Sequence, residues 1–309
     1  MVRSTWDELP EPVRAAIERQ TGPVRAAEIP SAGRNSDFSA TLHLVEGAPV
    51  FCKGIADAEG KRGAMHRHEA EINPQLSSAW APKLRWRTET DGWLLLGFDH
   101  VAGRHADLAP GSADLLLVTN TVAMLGRDLT NCSHNAPRLA EQWARLAPWR
   151  RLAENRTVLD QWTARNLDRL MSWEACAVDA ADGDNLVHTD LHPLNMLVSG
   201  DRVVIVDWAW SRKSSAAVDI AFLIARLVAA GHSPAKADRW AEELPIWQRT
   251  SPDIRLALAV EIWGIWEYLR EVQPRPLWNQ LTPAARSIAR FYLGETPNGG
   301  ESPLAVTCR

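Results

Sequence analysis

Residues 186–207 read Leu-Val-His-Thr-Asp-Leu-His-Pro-Leu-Asn-Met-Leu-Val-Ser-Gly-Asp-Arg-Val-Val-Ile-Val-Asp, and no other stretch restricts the fold as tightly. Residues 196–198 are a short apolar run, Ser199-Gly200-Asp201 is turn chemistry, and residues 203–206 are a second, β-branched run. Two such runs around a Gly-containing turn predict a β-hairpin. With the turn centred near Gly200 and Asp201, Asn195 falls opposite Val206 or Asp207, and cross-strand neighbours lie about 5 Å apart. Asp190 precedes Asn195 by five residues in a loop that contains Pro193. Two carboxylates and an amide are hard oxygen donors, a set that suits Mg²⁺ rather than zinc.

A length of 309 residues allows one or two domains, each with its own core. The net charge of −4 gives no footprint for nucleic acid and no polybasic membrane anchor. The N-terminus has no apolar signal-like segment, and no stretch approaches 18 apolar residues, so secretion and membrane spanning are not expected. The four cysteines, 52, 132, 176 and 308, show no paired spacing, which fits a reduced cytoplasmic setting. Fifteen Trp against two Tyr read first as core and helix packing.

Along the chain, residues 5–20 predict an amphipathic helix, with Trp6, Leu9, Val13 and Ile17 at helical spacing. Strands are expected at 24–29, 38–45 and 49–53, with a polar loop at 30–36, then a helix at 61–76 and strands at 80–86 and 93–98. Beyond residue 103 the pattern turns helical, at 113–129, 138–147, 157–175, 217–230, 233–244, 252–271 and 282–293. Pro234 and Pro252 fall where first-turn prolines are tolerated. The tail from 295 to 309 contains Pro-Asn-Gly-Gly and is expected to be mobile.

His188-Thr-Asp190-Leu-His-Pro-Leu-Asn195, Asp207-Trp208 and Val218-Asp219-Ile220-Ala221 together resemble the aminoglycoside phosphotransferase family, the antibiotic-kinase branch of the protein-kinase-like fold. The chain lacks the Arg before the catalytic Asp and the Phe-Gly after the metal Asp that protein kinases carry. The resemblance implies an α+β, two-lobed fold. An antiparallel sheet lobe with a helix would span residues 1–98, a hinge 99–103, and a larger helical lobe 104–309. It implies an ATP- and Mg²⁺-dependent transfer of phosphate to a hydroxyl of a small molecule, in a monomer or dimer with no nucleic-acid or membrane partner. Asp190 would accept the hydroxyl proton, Asn195 and Asp207 would hold Mg²⁺, and His188 and Asp219 would brace the loop. Lys53, fixed by an acid on the next helix, would hold the α- and β-phosphates. Glu69 is the preferred acid and Glu71 the rival. The carbonyl of Asp99 and the N–H of Val101 would meet the adenine edge. The loop ending at Ser36, with Gly33 as its one glycine, would cover the phosphates.

The acceptor is less constrained. An aminoglycoside leads, with macrolides, choline, homoserine, sugars and fructosamines open. Glu261, Glu267 and Glu271 could meet amino groups of a polycationic sugar, or form a solvated helix face paired with Arg270. Trp263 could stack on a ring or fill the core. Arg212 and Lys213, shortly after Asp207, disfavour a strongly cationic substrate. Two other readings stand beside these: a metallohydrolase using His188, Asp190 and His192, with His66, His68 and Glu69 as further donors, and a nucleotide-binding pseudokinase. Pro193 argues against the extended strand that the first of these needs.

Overall fold

The computed structural model describes residues 3–30, 36–130, 136–155 and 159–294. The expected mobile tail at 295–309 and Gly33 of the polar loop lie outside them. The chain divides into two compact units. The first runs to Ala106 and takes in Pro193–Trp210; the second comprises Asp107–His192 and the chain from Ser211 onward.

In chain order, the first stretch contains α1 (Glu11–Thr21), β1 (Val24–Glu28), β2 (Phe38–Leu44), β3 (Val50–Ile55), α2 (Lys61–Ile72), β4 (Leu84–Thr90), β5 (Trp93–Asp99) and β6 (Arg104–His105). There follow α3 (Asp114–Asp128), α4 (Leu139–Leu146), α5 (Pro148–Glu154), α6 (Gln161–Arg165), α7 (Leu167–Ala180) and β7 (Asn185–Val187). The hairpin strands are β8 (Met196–Ser199) and β9 (Arg202–Ile205). The rest is β10 (Arg212–Ser214), α8 (Ala217–Ala229), α9 (Pro234–Ala241), α10 (Pro245–Arg249), α11 (Pro252–Val272) and α12 (Trp278–Tyr292).

The first unit is built on an antiparallel sheet in the order β1-β2-β3-β5-β4. Side chains alternate across its faces. One face, with Phe38, Ala40, Leu42, Cys52, Trp93 and Leu95, packs on Val13, Ala16 and Ile17 of α1. The other, with Ile55, Leu94, Leu96 and Phe98, packs on Ala70 of α2. Lys53 shares the parity of Ile55 and so emerges on the α2 face. β4 is an edge strand with alternating half-buried and exposed residues, and its Glu89 accepts from both Arg87 and Arg67, charges that blunt an open edge. At Gly97 any side chain would collide with the Trp86 ring, which an added Cβ would meet at 2.2 Å.

The β8–β9 hairpin groups with this sheet unit, whereas the expected lobe limits placed it in the lobe from 104 on. Main-chain bonding accounts for the difference. β8 pairs with β6, and Ile205 N–H donates to the Trp80 carbonyl at 2.7 Å. The Trp80 and Trp208 rings then meet at a 43° tilt with centroids 5.7 Å apart.

The second unit is helical, apart from the β7–β10 ribbon. Residues 256–267 of α11 are buried on every side, so this helix is the unit's core rather than an amphipathic wall. Trp149 and Trp263 meet edge-to-face at 4.7 Å, and Trp149 Nε1–H donates to the Val260 carbonyl. Gly264 admits the Trp149 indole, whose Nε1 an added Cβ would meet at 2.5 Å.

Several expected limits shift for local reasons. The strand expected at 80–86 starts at Leu84, because residues 77–80 form a turn and Pro82 precedes it. The helix expected at 5–20 starts at Glu11, after Pro10. The helix expected at 157–175 breaks at Asn166 into α6 and α7, with Asp160 capping α6. α12 begins at Trp278, four residues before the expected start, and carries Pro283 inside it. Cys176 is disulfide-bonded and Cys52 is a buried free thiol. Among the described residues no helix is long and apolar enough to cross a membrane.

Glu261 is the anomaly of this core. It is fully buried, neither carboxyl oxygen has a hydrogen-bond partner among the described residues, and burial with Glu174 nearby raises its pKa well above the ordinary carboxyl range. Glu174, on α7, is itself pushed up by burial while accepting the Trp149 N–H at 2.6 Å. A carboxyl whose folded pKa is raised keeps the folded state intact while both states are protonated. It costs stability as pH climbs from the unfolded carboxyl value through the folded one. Glu261→Gln is therefore expected to raise the melting temperature by a few degrees at pH 8 and to leave it unchanged near pH 4. Thermal melts across pH check this; a gain that did not depend on pH would contradict it.

Candidate active site

In the sheet unit, Lys53 sits near the end of β3 with only 7% of its surface exposed. Its Nζ donates to Glu69 Oε1 at 2.8 Å, Glu69 Oε2 at 3.0 Å and Asp207 Oδ1 at 2.9 Å. Burial alone would push the ammonium toward neutrality, but the charges of Asp207 and Glu69 outweigh it and raise its pKa above the usual lysine value. Burial likewise works against the Glu69 carboxylate; Lys53 and the hydrogen bond from His66 outweigh it, and the net shift is downward. Glu69 also accepts the Trp208 N–H at 3.1 Å, so the acid is fixed from three elements. The rival Glu71 faces solvent.

The hairpin delivers Asp207 and Asn195 to the same unit. Met196 pairs with Ile205, and Val206 N–H donates to the Asn195 carbonyl at 3.0 Å, which puts Asn195 opposite Val206. Asp207 turns the chain with φ +66°, a left-handed conformation that Asp tolerates better than most residues. The donor oxygens brought to this end, one carboxylate and one amide, fit Mg²⁺, which commonly takes one or two protein carboxylates together with phosphate oxygens. Among the described residues no group of three or more His, Cys, Asp or Glu could hold a metal ion by itself.

Asp99 ends β5, with its N–H bonded to the Lys83 carbonyl and its carboxylate to Arg85 Nε at 2.6 Å. Asp99 and Val101 border an open cavity of about 510 Å³, shared with Arg85, His100, Ser199 and Arg202. Ser36 is half-buried beside Asp37, whose carboxylate holds Ala56 N–H and Arg62.

In the helical unit the loop around Asp190 is fastened by its backbone. Asp219, in the first turn of α8, accepts the N–H groups of His188 and Thr189, each at 2.8 Å. Burial raises the pKa of Asp219, against the opposing influence of His188 and these two bonds. Thr189 has φ +66°, an outlier for a β-branched residue, and such strain persists only where surrounding contacts over-determine it. His188 is fully buried, and its Nδ1 accepts the Asp190 N–H at 3.2 Å. The Asp190 side chain stays about one-third exposed, with Arg226 Nη2 on Oδ1 at 3.2 Å and His192 Nε2 on Oδ2 at 3.5 Å.

Arg226 was not among the residues singled out from sequence. Its signal is a lone guanidinium in the apolar run 220–228 of α8. The proposed substrate contacts fare differently from the loop. Glu261 and Trp263 are fully buried, and Glu267 is bonded by Trp263 Nε1–H and Arg270, so none of the three presents a free contact surface. Glu271 alone is exposed.

A sheet unit with a buried Lys–Glu pair, a helical unit and a braced Asp loop define a small-molecule phosphotransferase of kinase-like fold. Residues 63–253 match the family model described as the phosphotransferase enzyme family, and the chain belongs to that family. Solved structures agree on the fold. A thermostable mutant of aminoglycoside phosphotransferase APH(4)-Ia, in a ternary complex with ADP and hygromycin B, matches with TM-score 0.61 at 16% identity, over 89% of this chain and 98% of that one. An aminoglycoside phosphotransferase from Alicyclobacillus acidocaldarius matches with TM-score 0.63 at 13% identity, over 94% and 96%. Spectinomycin phosphotransferase APH(9)-Ia, in complex with ADP and spectinomycin, matches with TM-score 0.53 at 11% identity, over 89% and 92%. The comparison with curated proteins gives no match.

Removing one partner from a buried ion pair costs about 3–5 kcal/mol, because the other charge is left uncompensated. Glu69→Leu is expected to destabilise the protein by up to about that amount, since Asp207 still meets Lys53, and the double variant Lys53→Met, Glu69→Leu by clearly less. Urea unfolding of the two singles and the double closes the cycle. Additive losses would show that the pair is not energetically coupled.

Proposed function

We propose that the protein transfers the γ-phosphoryl group of Mg·ATP to a hydroxyl of a small molecule. The observation that carries this reading is the buried Lys53–Glu69–Asp207 network, an ammonium kept charged and immobile by two carboxylates. Phosphoryl transfer depends on positioning and charge neutralisation far more than on covalent chemistry from the protein. Lys53 would neutralise α- and β-phosphate oxygens, and Glu69 would keep it in place. Asp207 and Asn195 would hold Mg²⁺, which would supply positive charge against that of the phosphates. The Asp99 carbonyl and Val101 N–H would meet the adenine edge, and the chain ending at Ser36 would lie over the phosphates.

Asp190 would orient the acceptor hydroxyl and take its proton as the new P–O bond forms. The backbone clamp of Asp219 and the Nδ1 of buried His188 support this role, because they fix the loop while leaving the Asp190 carboxylate partly open. With Nδ1 accepting an N–H, His188 serves as a brace, and among the described residues no group of three or more His, Cys, Asp or Glu supports the metallohydrolase alternative. The ADP, hygromycin B and spectinomycin bound by the structural relatives make hydroxylated antibiotics with Mg·ATP the first compounds to try.

Two variants separate the roles. Asp190→Asn is expected to keep Mg·ATP affinity within about threefold and to lower kcat at least about 100-fold, the usual scale for loss of a general base. Asp207→Ala is expected to weaken Mg·ATP binding itself about tenfold or more, as befits a lost metal ligand. Calorimetric nucleotide titration and ADP-release kinetics read the two effects. Full turnover by Asp190→Asn would remove it from the proton step, and unchanged Mg·ATP affinity in Asp207→Ala would remove it from the metal site.

A further inference from the structure

The charges around Asp190 narrow the acceptor. From the placement of Arg226 against Asp190, we infer that the acceptor is a neutral or anionic hydroxyl compound, not a polycationic one, and that Arg226 is a specificity-determining residue. This rests on the reading of Asp190 as the hydroxyl's proton acceptor.

A site for a polyamine sugar needs uncompensated carboxylates, since each ammonium leaves water only against a paired anion. Asp190 and Asp219 do not offer them. The Asp190 carboxylate has Arg226 on one oxygen and His192 on the other. Asp219, the next carboxylate, is buried and committed to two backbone N–H groups. The Asp190 carboxylate thus already faces a guanidinium, and the Asp219 carboxylate is turned to the backbone.

Arg226 cannot easily withdraw to make room. Its side chain is 13% exposed, its guanidinium lies 5.6 Å from the centroid of the Trp266 ring, and its buried Nε has no hydrogen-bond partner among the described residues. Burial works against its charge and Asp190 supports it, so the cation and the carboxylate depend on each other. A polycation approaching Asp190 would have to displace or face this fixed charge. A neutral hydroxyl would not, and an anionic group beside the hydroxyl would gain from it.

The α11 acids do not reverse the balance. Glu261 is sealed in the core, Glu267 is tied to Trp263 and Arg270, and Glu271 lies ten residues beyond Glu261, about 15 Å along the helix.

The test uses the full-length protein, Mg·ATP and acceptors matched in size and hydroxyl content in three classes: polyamino sugars, neutral glycosides and carboxylate-bearing sugar acids. ADP release is measured for the wild type, Arg226→Gln and Arg226→Lys. The wild type is expected to favour neutral or anionic acceptors over polyamines by about tenfold or more in kcat/KM, a margin of roughly 1.4 kcal/mol. Arg226→Gln should narrow that gap, mainly through acceptor KM with KM for Mg·ATP unchanged, and Arg226→Lys should keep it. If Arg226→Gln fails to fold, the wild-type ranking of the three acceptor classes still decides.

If no acceptor turns over while Mg·ATP binds, the same ranking is read from acceptor affinity for the complex with a non-hydrolysable ATP analogue. Polyamines ranking first in the wild type, or a ranking indifferent to Arg226→Gln, would overturn the inference. Failure to bind Mg·ATP at all would instead remove the phosphotransferase reading on which it rests.

Discussion

A lysine can sit in a protein interior only if its charge is matched there, and the buried Lys53 ammonium imposes that condition on the whole sheet unit. Its three bonds tie the centre of the sheet, through β3, to α2 by way of Glu69 and to the end of the hairpin by way of Asp207. Strand register follows from the same condition. A slip of one residue in β3 would turn Lys53 onto the α1 face, among Val13, Ile17 and Leu95, and bring Cys52 to the carboxylates. The apolar alternation of β3 and the ion network therefore select one register together. Glu69 extends the constraint, since its carboxylate also holds the backbone N–H of Trp208 and stops the chain after Asp207 from relaxing.

The helical unit fixes its loop by another route. Here a carboxylate, Asp219, is committed to two successive backbone N–H groups, and the result is a left-handed Thr189 that the chain would not adopt unaided. Asp207 has the same φ, +66°, in the sheet unit. Both departures from ordinary backbone lie beside residues with proposed chemical roles. The cause is geometric in each case: the carboxylate must be delivered at a sharp turn, which extended or helical backbone cannot provide.

Much of this was legible in the sequence because it depends on local pattern. The hairpin around Gly200 and the strand that carries Lys53 follow from period and turn chemistry, while the choice of Glu69 over Glu71 follows from the resemblance to the family. What stayed hidden depends on which surfaces meet. Trp263 and Glu261 lie in a helix with enough charged residues to look amphipathic, yet α7, α8 and α12 enclose it. The break between α6 and α7 at Asn166 carries no Pro or Gly, so periodicity ran through it. The strand expected from Trp80 began later because Trp80 serves a turn and packs against Trp208, a contact set by residues far along the chain. Disulfide pairing of Cys176 likewise has no signature in linear spacing.

Arg226 and Glu261 show why a charge in an apolar helix needs its partner named before it is interpreted. Both interrupt long hydrophobic runs, and both are expensive to bury. Arg226 has a carboxylate at 3.2 Å and an aromatic face beneath it, so its charge is held and directed at Asp190. Glu261 has no hydrogen-bond donor among the described residues and a second carboxyl, Glu174, as its charged neighbour, so the proton, not a cation, is what stabilises it. The first arrangement spends stability on a fixed electrostatic feature beside the proposed chemistry. The second makes the fold itself sensitive to pH. From sequence the two are the same kind of event; only the partner separates a residue that shapes substrate choice from one that shapes the core.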